Sequence, residues 1–292
     1  MGWLQLTLES DPEHAEQMVE LLEQFGAVSV SLSPVSDEAI FGQDETDPVL
    51  WQHTRVIATL YEETDLDVLL VCLRDRIGAE HIRKHEITSL EDKDWVNEFK
   101  QGQRPLVFSD RLCITPSWCT PPETRAGPII LDPGLAFGTG SHTTTSLCLE
   151  WLVENEVTNK VIIDYGCGSG ILALAAARLG ARRVHAVDID PQALLAAREN
   201  AKKNNLDRQI IISFASEADL PKADMLLANI LMDPLIDLAS RFAGLVQDGG
   251  RIALSGLLAV QAEECLAVYQ SWFNMAAPVY RQEWAFLQGV RI

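Results

Sequence analysis

The chain has 292 residues, 47% of them hydrophobic, and a formal net charge of −19, a length that allows two domains with real cores. No apolar run approaches the roughly 20 residues of a bilayer span, and six cysteines without a C-x-x-C pair fit reduced cytosolic thiols better than a disulfide framework. Residues 1–100 hold 22 acidic and 7 basic side chains, and the remainder 20 and 16, a field that repels phosphate backbones and attracts cationic partners.

The start, Met1-Gly2-Trp3-Leu4-Gln5, lacks the basic region of a signal peptide, and Leu6 stands where myristoylation requires Ser or Thr. Trp3, Leu4, Leu6 and Leu8 mark a first strand. Ser10 or Asp11 followed by Pro12 is a helix start, and Ala15, Met18, Val19, Leu22 and Phe25 form one apolar face that ends at Gly26. A strand over 27–32, a polar loop over 33–48, a strand over 55–61, a helix over 66–77 stopped by Gly78 and a strand over 81–88 follow. Strand, helix, strand, strand, helix, strand is the ferredoxin-like split motif. His14, His53, His81 and His85 share no metal-like spacing, so no metal site is expected.

Residues 91–100 read as a short charged connector helix, with Trp95 and Phe99 four apart and Gly102 and Pro105 ending it. Residues 106–108 and 111–115 read as a hairpin. A loop rich in glycine and hydroxyls then runs from Ile129 to Thr145 into a helix over 147–153. Phe137, Thr139 and His142 in this loop are candidate ligand contacts; His142 is also a conceivable base, although a structural hydrogen bond is the more common role of a loop histidine. No Lys-Ser/Thr follows the glycines, so it is not a phosphate-binding Walker loop.

Val161-Ile162-Ile163 reads as a short buried strand, Gly166-Cys167-Gly168-Ser169-Gly170 as a turn without bulk, and Ile171 to Arg178 as a strong helix. Backbone N–H groups of such a turn can approach a ligand closely. Strands and helices then alternate as an open parallel sheet requires: strand 183–187 ending in Asp188, helix 191–204, strands 210–214 and 223–229, a helix from Asp233 or Pro234, strand 251–255, a helix over 261–272 and two strands over 278–290. Asp188 is placed to accept both hydroxyls of a ribose. The dinucleotide fingerprint wants its third small residue where Ile171 stands, and Asp164 would repel a pyrophosphate. A sulfonium tolerates that acid. Gly166, Gly168, Gly170 and Asp188 therefore point to S-adenosylmethionine (SAM), not NAD.

Methyl transfer needs chiefly alignment of donor and acceptor, which fits a chain without an evident triad. Cys167 is small enough for the turn and needs no nucleophilic role. Asn229, at a strand end, can orient an amine and is the candidate catalytic residue. Enzymes acting on planar nitrogens usually carry Asn-Pro-Pro-aromatic, whereas here Asn229 is followed by Ile230, Leu231, Met232, Asp233 and Pro234. A freely rotating sp³ amine, of a lysine or a chain terminus, is the easier acceptor.

Four stretches carry a resemblance: Asp132 to Thr145, Asp164 to Gly170, Val187 to Pro191, and Ala228 to Leu235. Together they resemble the PrmA family, bacterial methyltransferases of ribosomal protein eleven of the large subunit, and Glu91 to Trp95 matches as well. The resemblance implies a class I SAM-dependent methyltransferase, with a Rossmann-like seven-stranded sheet and a small α+β ferredoxin-like N-terminal domain. It implies a recognition domain over 1–90 that grips the substrate protein, a flexible connector over 91–104 and a SAM domain over 105–292. It further implies methylation of lysines and the α-amine of a basic ribosomal protein by a cytoplasmic monomer, with neither nucleic acid nor membrane as a direct partner. SAM contacts carried over by motif fall on Thr145, Gly166, Asp188 and Asn229. Ser141-His142-Thr143 departs from the Thr-His-Pro expected in many members. A methyltransferase of another protein or of a small amine, or a SAM-sensing regulator, are the alternatives that the same residues leave open.

Overall fold

In the computed structural model, which describes residues 2–35, 53–90, 103–132, 140 and 142–292, the chain divides into two units, Met1–Phe99 and Lys100–Ile292. The first contains β1 (Trp3–Ser10), α1 (Pro12–Gln24), β2 (Ser29–Pro34), β3 (Thr54–Tyr61), α2 (Leu66–Ile77) and β4 (Ile82–Leu90). Period-two alternation buries Leu6 and Leu8 of β1 with Val56, Ala58 and Leu60 of β3. Onto that face pack Ala15, Met18 and Leu22 of α1 and Leu69 and Leu73 of α2. The strands lie in the order β2-β3-β1-β4, every neighbour antiparallel. That is the ferredoxin-like arrangement the element order predicts.

The punctuation residues act as expected. Pro12 takes the first helical position after Asp11, and Gly26 turns the chain at φ 83°. The Asp65 side chain caps α2 by accepting from Val68 N at 3.1 Å. Strand boundaries shift by one or two residues. β2 begins two residues later than the pattern gives, and a short 3-10 turn, Ala79–His81, delays β4 to Ile82. The expected loop over 33–48 and connector over 91–104 fall largely outside the described residues.

The second unit opens with a three-stranded sheet of β5 (Leu106–Phe108), β6 (Leu112–Thr115) and β7 (Pro128–Ile130). β5 and β6 form the predicted hairpin; β7, which the sequence reading leaves in a loop, joins β6 in parallel. Asn204 explains why β7 is stable despite its three residues: its side chain accepts from Ile130 N at 2.7 Å and donates to Ile130 O at 2.8 Å. After α3 (Thr143–Glu154) come β8 (Val161–Tyr165), α4 (Ile171–Arg178), β9 (Arg183–Asp188), α5 (Pro191–Lys203), β10 (Ile210–Phe214) and β11 (Ala223–Asn229). The chain ends with α6 (Met232–Leu245), β12 (Val246–Leu258), α7 (Ala262–Tyr269), β13 (Phe273–Met275), β14 (Val279–Arg281) and β15 (Trp284–Arg291).

The large sheet runs β10-β9-β8-β11-β12-β15-β13. Strands β8 to β12 are parallel, and β15 is antiparallel to β12. This seven-strand path is the Rossmann-like sheet expected, and β14 adds an eighth strand by pairing with β15. β13 is a further strand that the sequence pattern does not mark. Successive residues of β8 serve opposite faces: Ile162 joins the core under α3, α4 and α5, and Ile163 the core under α6 and α7. The strand order reverses between β8 and β11, the place where such a sheet opens a crevice for ligands. Among the described residues no helix is long and apolar enough to cross a membrane.

Candidate active site

Three glycines close the end of β8. Gly166, Gly168 and Gly170 hold φ at 76°, 52° and 79°, a left-handed region that costs other residues about 1–2 kcal/mol. The turn is tied to β9, since Gly166 N and Cys167 N both donate to Val187 O, at 2.8 and 3.0 Å. Close packing holds it from two other sides. A Cβ on Gly166 would stand 2.3 Å from Ile230 Cγ2, and one on Gly170 3.1 Å from Ala197 Cβ of α5.

Asp188 ends β9 with both carboxylate oxygens engaged. Oδ2 accepts from Gly168 N at 2.8 Å and Oδ1 from Asp190 N at 3.0 Å. Each oxygen keeps a second lone pair, and the side chain is half-buried. It can therefore brace the glycine turn and still receive ribose hydroxyls.

Asp164 lies beneath the turn and is 1% exposed. Its Oδ2 accepts from Ala173 N of α4 at 2.9 Å, while Oδ1 is buried without a hydrogen-bond partner among the described residues. Burial raises its pKa to about 7, with the Ala173 bond opposing and the Asp188 charge adding to the shift. An orphaned carboxyl oxygen at this place suits a cation and disfavours a phosphate. The residues present thus fit the sulfonium and ammonium of SAM. Cys167 is no nucleophile here: burial, then the charges of Asp164 and Asp188, push its thiol far up.

Asn229 stands at the end of β11, and its Nδ2 donates to Thr145 Oγ1 at 3.2 Å. That bond orients the amide and commits its donor side, leaving Oδ1 as the acceptor edge. Thr145 is 3% exposed and, having accepted, retains its own hydroxyl proton for another partner. Ile230 N then donates to Ser255 O at 3.1 Å. A Cβ on Gly256 would stand 2.4 Å from Ile230 O, so the ends of β11 and β12 lie backbone against backbone.

The helix that carries Thr145 begins four residues before the predicted Leu147. His142, at φ −68° and ψ 140°, is its N-cap: Nδ1 accepts from Thr144 N at 3.4 Å and lies 2.8 Å from Thr144 Oγ1. The exposed imidazole meets Trp284 edge-on, ring centroids 4.8 Å apart. Three successive threonines hide this start, because β-branched residues are weak helix formers and histidine is not among the usual caps. The conceivable base is found at work as a cap.

Of the sequence-predicted residues, the structure gathers Gly166, Gly168, Gly170 and Asp188 at one turn, and joins Asn229 to Thr145 one helical turn from His142. Phe137 and Thr139 lie outside the described residues. Sequence reasoning missed Ile230, which touches the place of a Gly166 side chain, and it missed Gly256 and Trp284. Only Gly256 carries a local sign, since a glycine within a strand marks close backbone approach. Among the described residues no three His, Cys, Asp or Glu side chains are grouped to hold a metal.

The family described as Ribosomal protein L11 methyltransferase (PrmA) matches residues 2–291. The chain is 45% identical over 293 residues to the ribosomal protein L11 methyltransferase of Azotobacter vinelandii, and 43% identical over 294 residues to that of Shewanella woodyi, with 100% of both chains covered in each case. Among solved structures it is similar to the ribosomal protein L11 methylase of Lactobacillus delbrueckii subsp. bulgaricus, with a TM-score of 0.59 and 32% identity, covering 65% of this chain and 99% of that one.

Proposed function

The chain belongs to the ribosomal protein L11 methyltransferase (PrmA) family, and from that premise we propose that it methylates ribosomal protein L11 on lysine side chains and on the N-terminal α-amine, with SAM as methyl donor. SAM, when bound, supplies an electrophilic methyl group on a sulfonium. Gly166, Gly168, Gly170, Asp188 and Thr145 are the proposed holders of the donor, with Phe137 and Thr139 from the adjoining loop. The task left to the protein is to present an amine lone pair in line.

The single observation that carries this reading is the oriented amide of Asn229. With Nδ2 given to Thr145, Oδ1 is the edge that can accept an N–H from a neutral amine and aim its lone pair. An ammonium has no lone pair, so the target reacts as the free base, and burial of the amine favours that form. The missing double proline after Asn229 suits an acceptor that rotates freely instead of a planar base.

The acidic first 100 residues support a basic partner, and we assign the recognition of L11 to that unit, residues 1–90, with 91–104 as connector and 105–292 as the SAM domain. The open face of its sheet, across from the helices, presents Gln5, Thr7, Glu9, Arg55, Lys84, Glu86 and Thr88 around a shallow hollow of about 390 Å³. The reading places the reaction in the cytoplasm, where ribosomal proteins are made. It needs only one copy of the chain, because the residues proposed to hold SAM and orient the acceptor all lie within Lys100–Ile292.

Incubation of the protein with SAM and unmethylated L11, followed by mass spectrometry of the peptides, tests the proposal. Mass steps of one methyl on lysines and on the N-terminal amine are expected. SAM binding without incorporation into L11 would refute it.

A further inference from the structure

We propose that Trp284 and His142 are positioning residues for methyl transfer: the indole holds the His142 cap, and the cap fixes the helix turn from which Thr145 orients Asn229. The inference rests on the amine-methyltransferase reading above and adds to it a device that reaches from the end of the chain.

The path is short. Trp284 begins β15 and is fixed there by pairing with Leu258 on one side and Arg281 on the other; its Nε1 donates to Glu283 Oε1 at 3.1 Å. Its ring stands against His142 at an interplanar angle of 72°, an edge-to-face contact that favours one imidazole orientation. In that orientation Nδ1 faces the first turn of α3, where it accepts from Thr144 N and meets Thr144 Oγ1. When Nδ1 accepts there, the neutral ring carries its proton on Nε2. The next residue is Thr145, whose hydroxyl receives Asn229 Nδ2.

Other ties converge on the same helix from the same hairpin. Thr143 Oγ1 donates to Gln282 Oε1 at 2.8 Å, at the turn between β14 and β15 where Gln282 holds φ 54°. Arg281 grips Glu150 through two bonds, at 2.9 and 2.7 Å. Trp151 Nε1 donates to Gln288 Oε1 at 2.8 Å. The hairpin thus lines α3 along its length, and the Trp284 contact is the one that acts on its first turn through the cap. Without the cap, the N–H groups of that turn lose an acceptor, and the Thr145 hydroxyl is free to swing with the frayed backbone. Asn229 would keep its place at the end of β11 but lose the bond that orients it.

The test uses the full chain, L11 and saturating SAM, with single-turnover rates, KM for L11 and melting temperatures measured for four single variants and one double variant. His142→Ala and Trp284→Ala are expected to slow the single-turnover rate about tenfold or more, while KM for L11 changes by less than about twofold. Asn is a strong N-cap, so His142→Asn should recover to within about threefold of wild type, and Trp284→Phe, which keeps an aromatic ring, likewise. The two alanine variants combined should be no slower than the worse one alone, as members of one path are not additive. A His142→Asn rate as low as that of His142→Ala would overturn the proposal and make the imidazole itself a base or ligand. Wild-type rates in all four variants would also overturn it. A wild-type protein inactive on L11 would instead strike the functional reading, so the two failures are distinct.

Discussion

Asp164 puts an ionisable group in a buried place and leaves one of its oxygens without a partner among the described residues, which gives the fold a measurable weakness. Its folded pKa of about 7 lies above the roughly 3.9 of an unfolded Asp. Between those values the folded state binds more protons, so the stability this group allows is lost as pH rises through about 7. In the SAM-free protein, Asp164→Asn should therefore raise the melting temperature more at pH 8 than at pH 5. A gain that does not grow with pH would contradict the orphaned carboxylate. Asp188 is expected to act on the ligand instead. Asp188→Ala should weaken SAM binding by about 1.5–3 kcal/mol, the range for charged hydrogen bonds, and calorimetry showing unchanged affinity in a folded variant would remove the ribose assignment. Both acids were legible in the sequence, because each ends or precedes a recognisable turn. The partnering of Asn229 with Thr145 was not, since it joins α3 to β11 across a sheet whose register no local pattern encodes.

At the scale of elements, the glycine turn is where sequence and packing agree most closely. Gly170 begins α4 at φ 79° and faces both Ala197 Cβ and Cα, which would stand 3.1 and 3.3 Å from an added Cβ. Gly170→Ala combines the left-handed penalty with pressure on α5, and is expected to cost about 1–3 kcal/mol of unfolding free energy in urea titration. A loss under about 0.5 kcal/mol would show that the turn relaxes freely. Strands and helices of the second unit were legible because buried strands such as Val161–Tyr165 and alanine-rich helices such as Ile171–Arg178 carry strong periodic or compositional signals. The misses share a cause. β7 and β13 have three residues each, too few for any period to show, and α3 starts in threonines whose local preference the His142 cap overrides.

For the whole molecule, charge and fold point in one direction. The excess of 22 acidic over 7 basic side chains in residues 1–100 should steer a basic substrate, and exposed charges are screened within about 10 Å at 0.1 M salt. Raising salt from low to physiological strength is expected to slow association with L11 while SAM affinity stays nearly constant; salt-independent capture in stopped-flow mixing would leave the charge with no part in recognition. The ferredoxin-like arrangement of the first unit followed from its element order, as topological rules leave few alternatives. The most direct measurement is the single-turnover methylation of L11 by wild type and Asn229→Ala at saturating SAM between pH 6 and 10. If Asn229 aims the lone pair of a free amine, the wild-type rate rises with pH towards the amine's pKa, and the variant is slower by on the order of ten- to a thousandfold. A flat profile, or an undiminished rate in Asn229→Ala, would contradict that role.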